Sequence, residues 1–166
     1  MLNKAMILHE LAQAKIAHMR WVKRADHLIS GMPVEEHFIP LEPTACGFGK
    51  WLYGLVGKKL RSDYIFESTI AQIEVIHDEL HNVYEEIYKI FYIQHEPRTF
   101  LQKFVSFGSQ KVSKQKMEEA KTHFVLLQKY SRELIYQVEK LEKAVKAVDM
   151  VVLKRRHDTP AMFTQA

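Results

Sequence analysis

The sequence predicts an all-α protein, an antiparallel four-helix bundle with a long C-terminal helix. Apolar residues recur at spacings of three and four along most of its 166 residues. No segment alternates apolar and polar side chains convincingly in the manner of a half-buried strand. Glycine and proline interrupt the pattern where helices would have to end.

Each element follows from that pattern. Met6/Ile7, Leu11, Ala14, His18, Trp21/Val22, Ala25 and Leu28 form one stripe of a first helix. Gly31 and Pro33, then Pro40 and Pro43, end it and impose an irregular connection of about a dozen residues, after which Thr44 is the expected N-cap. A short helix follows through Trp51-Leu52-Tyr53 and Leu55-Val56 to about Leu60, with Gly57 and Ser62-Asp63 marking its end and the next start. Phe66, Ile70, Ile73, His77, Leu80, Tyr84, Ile87 and Phe91 then alternate four and three without a break. Pro97 closes that helix, and Thr99 to Val105 is expected to form a brief helical turn before Gly108-Ser109. A final helix of roughly 30 residues runs along Met117, Ala120, Phe124, Leu127, Ser131, Leu134, Val138, Leu141, Val145, Val148 and Val152, with only Ser131 interrupting the apolar seam. Residues 1–153 are expected to form a single helical domain and 154–166 a flexible tail.

Composition narrows the classes of function. At 47% hydrophobic and 27% charged, the chain has enough apolar residues for one core. No run approaches the roughly 20 apolar residues of a membrane span, and the first ten residues are too polar for a secretory signal, so a cytoplasmic location is expected. The net charge of +4 is concentrated late, with twelve Lys/Arg against seven Asp/Glu in residues 111–166 and twelve against thirteen before them. Lys111, Lys114, Lys116 and Lys154-Arg155-Arg156 carry no accompanying recognition motif, so they read as solvated positions, with neither nucleic acid nor membrane as partner.

The chemistry lies in one thiol and three imidazoles. Cys46 is the only cysteine, so no internal disulfide is available to it. His18 sits in the first apolar stripe, His77 in the second, and His81 one turn beyond, within roughly 40° of His77 around the helix. A single seam histidine is explained by ordinary hydrogen bonds. Three imidazoles and a thiol in one small core desolvate several polar groups at once, and a tetrahedral zinc satisfies all four. Cys46 is expected in a first helical turn, where the dipole and a nearby cation favour the thiolate. Gly47 and Gly49 read equally well as helix-start flexibility or as room for close approach to the histidine-bearing helices. Trp21 and Trp51 read as core packing and a lid over the metal.

Two catalytic or redox alternatives fit less well. His77-Asp-Glu-Leu-His81 resembles the zinc-protease pattern H-E-x-x-H, but Asp78 replaces the glutamate base, Glu79 points away from the metal face, and a fourth ligand would close the position that water needs. A hemerythrin-like di-iron centre needs more histidines and inward carboxylates, whereas Glu74 is the only carboxylate one turn from the pair on its side and His9 lies opposite His18. No enzyme activity is expected.

His18-x-x-Trp21, Cys46-x-x-Gly49-x-Trp51 and His77-x-x-x-His81 together resemble, in residue type, order and spacing, the motif of the CZB (chemoreceptor zinc-binding) domain family over roughly residues 10–94. The final helix, with Tyr130, Ser131, Leu134 and Leu141, is similar to that family's closing helix. The resemblance implies a regulatory module with zinc bound by His18, Cys46, His77 and His81, a homodimer, and sensing of zinc or of oxidants such as hypochlorous acid. It further implies output to chemotaxis or cyclic-di-GMP signalling through a chemoreceptor or diguanylate cyclase. With no signalling hairpin, PAS or cyclase segment in view, that output is expected from a separate partner or the long last helix. The competing expectation is a structural zinc-stabilised dimerisation adaptor.

Overall fold

The computed structural model describes residues 3–32, 34, 40–93 and 112–148, and these are helices and short connections without a strand. Expectations for Pro33, Pro97, the turn at 99–105, Gly108-Ser109, Lys111, Val152, Lys154-Arg155-Arg156 and the tail fall outside those residues. None of the described helices is long and apolar enough to cross a membrane.

Helix α1, Lys4–Ile29, begins where the Asn3 side chain accepts hydrogen bonds from the backbone N–H groups of Ala5 and Met6. It buries Ile7, Leu11, Ala14, His18, Trp21, Ala25 and Leu28, one unbroken three/four stripe. Gly31 adopts φ 78° and donates to Leu28 O, while Met32 N–H reaches back to His27 O. This pair of bonds ends the helix in a Schellman motif, and the left-handed position accounts for the glycine.

The segment after the connection differs from the expectation. A 3-10 turn, Pro43–Ala45, takes up Thr44, and Cys46 itself is the N-cap of α2, Gly47–Leu52. Pro43 opens the turn, since its fixed φ suits a helical start, and that shifts the cap two residues onward. The single short helix expected here is two, α2 and α3, Leu55–Arg61, separated at Tyr53-Gly54. Gly57 therefore ends nothing. It lies inside α3, where a Cβ would stand 1.8 Å from Leu52 O, so its missing side chain lets α3 fold against the end of α2.

Ser62–Phe66 turns rather than extending a helix: the buried Asp63 accepts from Ile65 N–H, and Phe66 and Glu67 donate back to Asp63 O. Helix α4, Glu67–Tyr88, follows and passes into a π-helical turn at Lys89–Ile93. Its buried face contains Ile70, Ile73, His77, Leu80, Tyr84 and Ile87, as the spacing predicts, widened by Ile76, His81 and Tyr88. Helix α5, Lys114–Ala147, is capped by the Ser113 hydroxyl accepting from Lys116 N–H, and buries Ala120, Leu127, Ser131, Leu134, Val138, Leu141 and Val145.

Helix α5 packs against both α1 and α4, while α2 packs on α1 and α3 on α4. Lys4 at the start of α1 donates to the carbonyls of Lys146 and Val148 at the end of α5, and Lys15 pairs with Glu142 at 2.9 Å, so α1 and α5 run in opposite directions. His18 and Trp21 of α1 meet His77, His81 and Tyr84 of α4 in the same chain sense, and the Cys46 segment closes over that junction.

The Gly57 contact is backbone against backbone and has no flexible atom to yield. Gly57→Ala should lose about 2 kcal/mol or more, and Gly47→Ala, where a Cβ meets nothing within 4 Å, should change stability by less than about 0.5 kcal/mol. Urea denaturation of the two variants checks the contrast.

Candidate metal centre

Cys46, His77 and His81 come together, each offering one ligand atom within 4.8 Å of the others. Helix α4 supplies both histidines because positions four apart share a face. The Cys46 sulfur reaches them because the N-cap side chain turns back over its own helix start, accepting from Gly49 N–H at 3.1 Å. Gly49 is required for this: a Cβ there would lie 1.8 Å from Pro43 O and 3.3 Å from the Cys46 sulfur. Close approach thus explains Gly49, while Gly47 faces open space.

The shortest contact in the cluster is Cys46 Sγ to His77 Nε2, 3.3 Å. A tetrahedral zinc with ordinary Zn–S and Zn–N lengths holds sulfur and nitrogen about 3.5 Å apart. The His77 and His81 rings are 4.7 Å apart, and the His18 ring stands 5.6 Å from His77 on the α1 side. His18 borders the three-residue cluster without belonging to it at that spacing.

Two imidazoles are oriented by the backbone. His18 Nδ1 donates to Ala14 O at 2.7 Å and His81 Nδ1 to Leu41 O at 2.8 Å. A carbonyl only accepts, so the proton is on Nδ1 in each and the Nε2 lone pair is left for something else. Among the described residues, the buried side-chain nitrogens and oxygens without a partner include His18 Nε2, His81 Nε2 and His77 Nδ1. Buried polar atoms left unpaired cost about 1–3 kcal/mol each, and three neighbouring imidazole rings that each keep one such atom, with a thiol against His77, suit a soft cation.

Burial also fixes the protonation states. Desolvation lowers His18 to about 4 against the Ala14 carbonyl's opposing pull, and lowers His77 to about 3 with help from His81 and His18. It lowers His81 as well, offset in part by Leu41 O. All three are neutral at pH 7, the form that ligates. Cys46 behaves otherwise than expected: burial pushes the thiol up, outweighing the Gly49 and Phe48 N–H groups and Lys50. The helix start therefore does not by itself yield a thiolate; a cation has to displace the proton.

The aromatic surround differs from the expectation in one place. Trp21 is buried against His81 at 4.5 Å and Tyr84 at 5.2 Å. The ring directly over the imidazoles is Phe48, edge-on to His18 at 5.5 Å and His77 at 5.3 Å, with Trp51 stacked outside it at 5.7 Å. Phe48 was signalled only by its place two residues after Cys46. Tyr53 OH donates to Asp78 at 2.7 Å, joining the end of α2 to α4 beside His77. Asp78 is thereby used away from the cluster, Glu74 pairs with Arg61 at 3.3 Å, His9 is exposed, and no carboxylate enters the three-residue group. Neither a protease base nor a di-iron ligand set is supported among the described residues.

The buried imidazoles make the metal-free protein acid-sensitive. Unfolded histidines bind protons below about pH 6.5 that the folded sites refuse. Stability should be full above that value and fall as pH drops toward the folded values of about 4 and about 3, by up to about 1.4 kcal/mol per pH unit for each histidine. Urea melts of chelator-treated protein between pH 7 and 5 measure the slope, and a flat profile would contradict it.

Residues 18–88 match the family model described as the chemoreceptor zinc-binding domain. No curated protein and no solved structure matches the chain. Over residues 18–88, the chain is thus similar to the chemoreceptor zinc-binding domain family.

Proposed function

We propose that this chain is a non-enzymatic zinc-binding regulatory module whose metal is held by His18, Cys46, His77 and His81. The observation that carries the reading is the Cys46 Sγ–His77 Nε2 contact at 3.3 Å among neutral imidazoles that each keep one unpartnered nitrogen. His18 joins as the fourth ligand through its unpartnered Nε2, its ring 5.6 Å from that of His77. The described helices act as one domain, an antiparallel four-helix bundle in which α2 and α3 together take the place of the short fourth helix. It works in the cytoplasm as a homodimer.

When bound, zinc supplies the charge that keeps the Cys46 sulfur deprotonated. The chain's residues do the rest. Ala14 O and Leu41 O fix the two imidazoles, Gly49 N–H steadies the sulfur, and Phe48, Trp21 and Trp51 limit water. The sensed state is either zinc occupancy or oxidation of the thiolate by an oxidant such as hypochlorous acid, which gives chloride and a sulfenate with weaker hold on the metal. Release of Cys46 frees the α2 cap and changes helix packing, a signal passed to a chemoreceptor or diguanylate cyclase. One observation favours a purely structural adaptor instead: the thiol is half-buried, and Phe48 with Trp51 stacked on it packs over the His77 ring that the thiol faces.

Protein purified without added metal should contain one zinc per chain, and His77→Ala should weaken zinc binding at least about tenfold while lowering stability. Elemental analysis with thermal denaturation tests both, and iron at two per chain would refute the assignment. Stoichiometric hypochlorous acid should modify Cys46 by mass spectrometry and alter helix content or the dimer seen by light scattering. An unmodified thiol, or a modified one with both readouts unchanged, favours the structural adaptor.

A further inference from the structure

A cavity of about 320 Å³ opens beside the metal centre, between α1 and the start of α2. One wall is a single face of α1, with Ala17, Arg20, Trp21 and Arg24 at spacings that place them in line. Pro40, Gly47 and Phe48 line it from outside α1, and His18, Cys46 and His81 complete the lining. The volume lies at the lower end of the roughly 300–1,000 Å³ of small-molecule sites.

The lining has a one-sided character. Its body is aromatic and aliphatic, its histidines are neutral, and its only formal charges among the described residues are the two guanidinium groups. Glu42 and Asp78 lie near enough to act electrostatically on His81, but neither lines the cavity. Arg20 is exposed, while Arg24 is half-buried and also acts on Tyr84. A planar fork at the mouth of an apolar slot matches a carboxylate carried on a flat apolar body, because the guanidinium pairs two oxygens while the body displaces water from Trp21 and Phe48.

We propose that this cavity binds a small organic carboxylate, its acid group on Arg20 with Arg24 contributing, and its apolar body between Trp21 and Phe48. The module then has a second input: a ligand seated against His18, Cys46 and His81 bears on the same side chains that hold the metal. This goes beyond the zinc reading and does not rest on it, since the lining belongs to the folded chain.

Trp21 lines the cavity, so its fluorescence reports occupancy once Trp51→Phe has removed the other indole. In that background benzoate should give a saturable change with a Kd on the order of 1 mM, and the neutral isostere benzamide little change over the same range. Arg20→Gln, at an exposed position, should raise the benzoate Kd about tenfold with helix content and zinc content unchanged. Equal binding of benzoate and benzamide, or no saturable binding of either, overturns the proposal. So does benzoate binding that survives Arg20→Gln but disappears on chelation while helix content is retained, which would make the carboxylate a metal ligand. Elemental analysis of the same samples reports the zinc assignment separately, and benzoate binding to zinc-free folded protein would stand even if that assignment failed.

Discussion

Everything around the centre depends on keeping three imidazoles dry and neutral. Water is the partner that a histidine would normally have on both nitrogens, and removing it has to be compensated atom by atom. For His18 and His81 the backbone answers half of the requirement, with Ala14 O one turn back on the same helix and Leu41 O from the connection. The other half is left to whatever sits among the rings. His77 faces the thiol instead, so the cluster holds its one sulfur against an imidazole that burial keeps neutral. A core with such unmet valence is poorly stable in isolation and specific once filled.

The helices arrange themselves to meet that need. Helix α5 serves as common packing partner for α1 and α4, which leaves the histidine faces of those two helices to meet across the opposite side. There α2 is inserted, short enough to bring its N-cap sulfur to the junction and anchored at its far end by the Tyr53–Asp78 hydrogen bond. The Cys46 sulfur both caps its helix, accepting from Gly49 N–H, and faces His77. Folding of α2 and assembly of the centre are therefore coupled through a single sulfur.

What the sequence reveals here follows from periodicity. His18, His77 and Ser131 fall in phase with leucines and isoleucines, so their burial on α1, α4 and α5 was legible, and the pairing of His77 with His81 followed from helical pitch alone. Contacts made by backbone atoms at long range were not. Nothing in the residue identities marks Leu41 as the carbonyl that orients His81, or Pro43 as the atom group that demands glycine at position 49. The cap moved from Thr44 to Cys46 because Pro43 opened its own short turn, and Gly57 proved a contact rather than a stop for the same local reason. Phe48 was overlooked because an aromatic two residues past a ligand has no periodic signature in so short a helix.

Lys4 gives the arrangement one further property. Its ammonium group closes on the carbonyls of Lys146 and Val148, so the first turn of α1 serves as the cap for the last turn of α5. His18 lies fourteen residues along the same rigid rod, about 21 Å away at helical rise. Along such a rod the metal centre and the clasp are two points on one element, so the seating of His18 and the capping of α5 share a single rigid part. The first turn of α1 is thereby a hinge pin between the centre and the far end of the bundle.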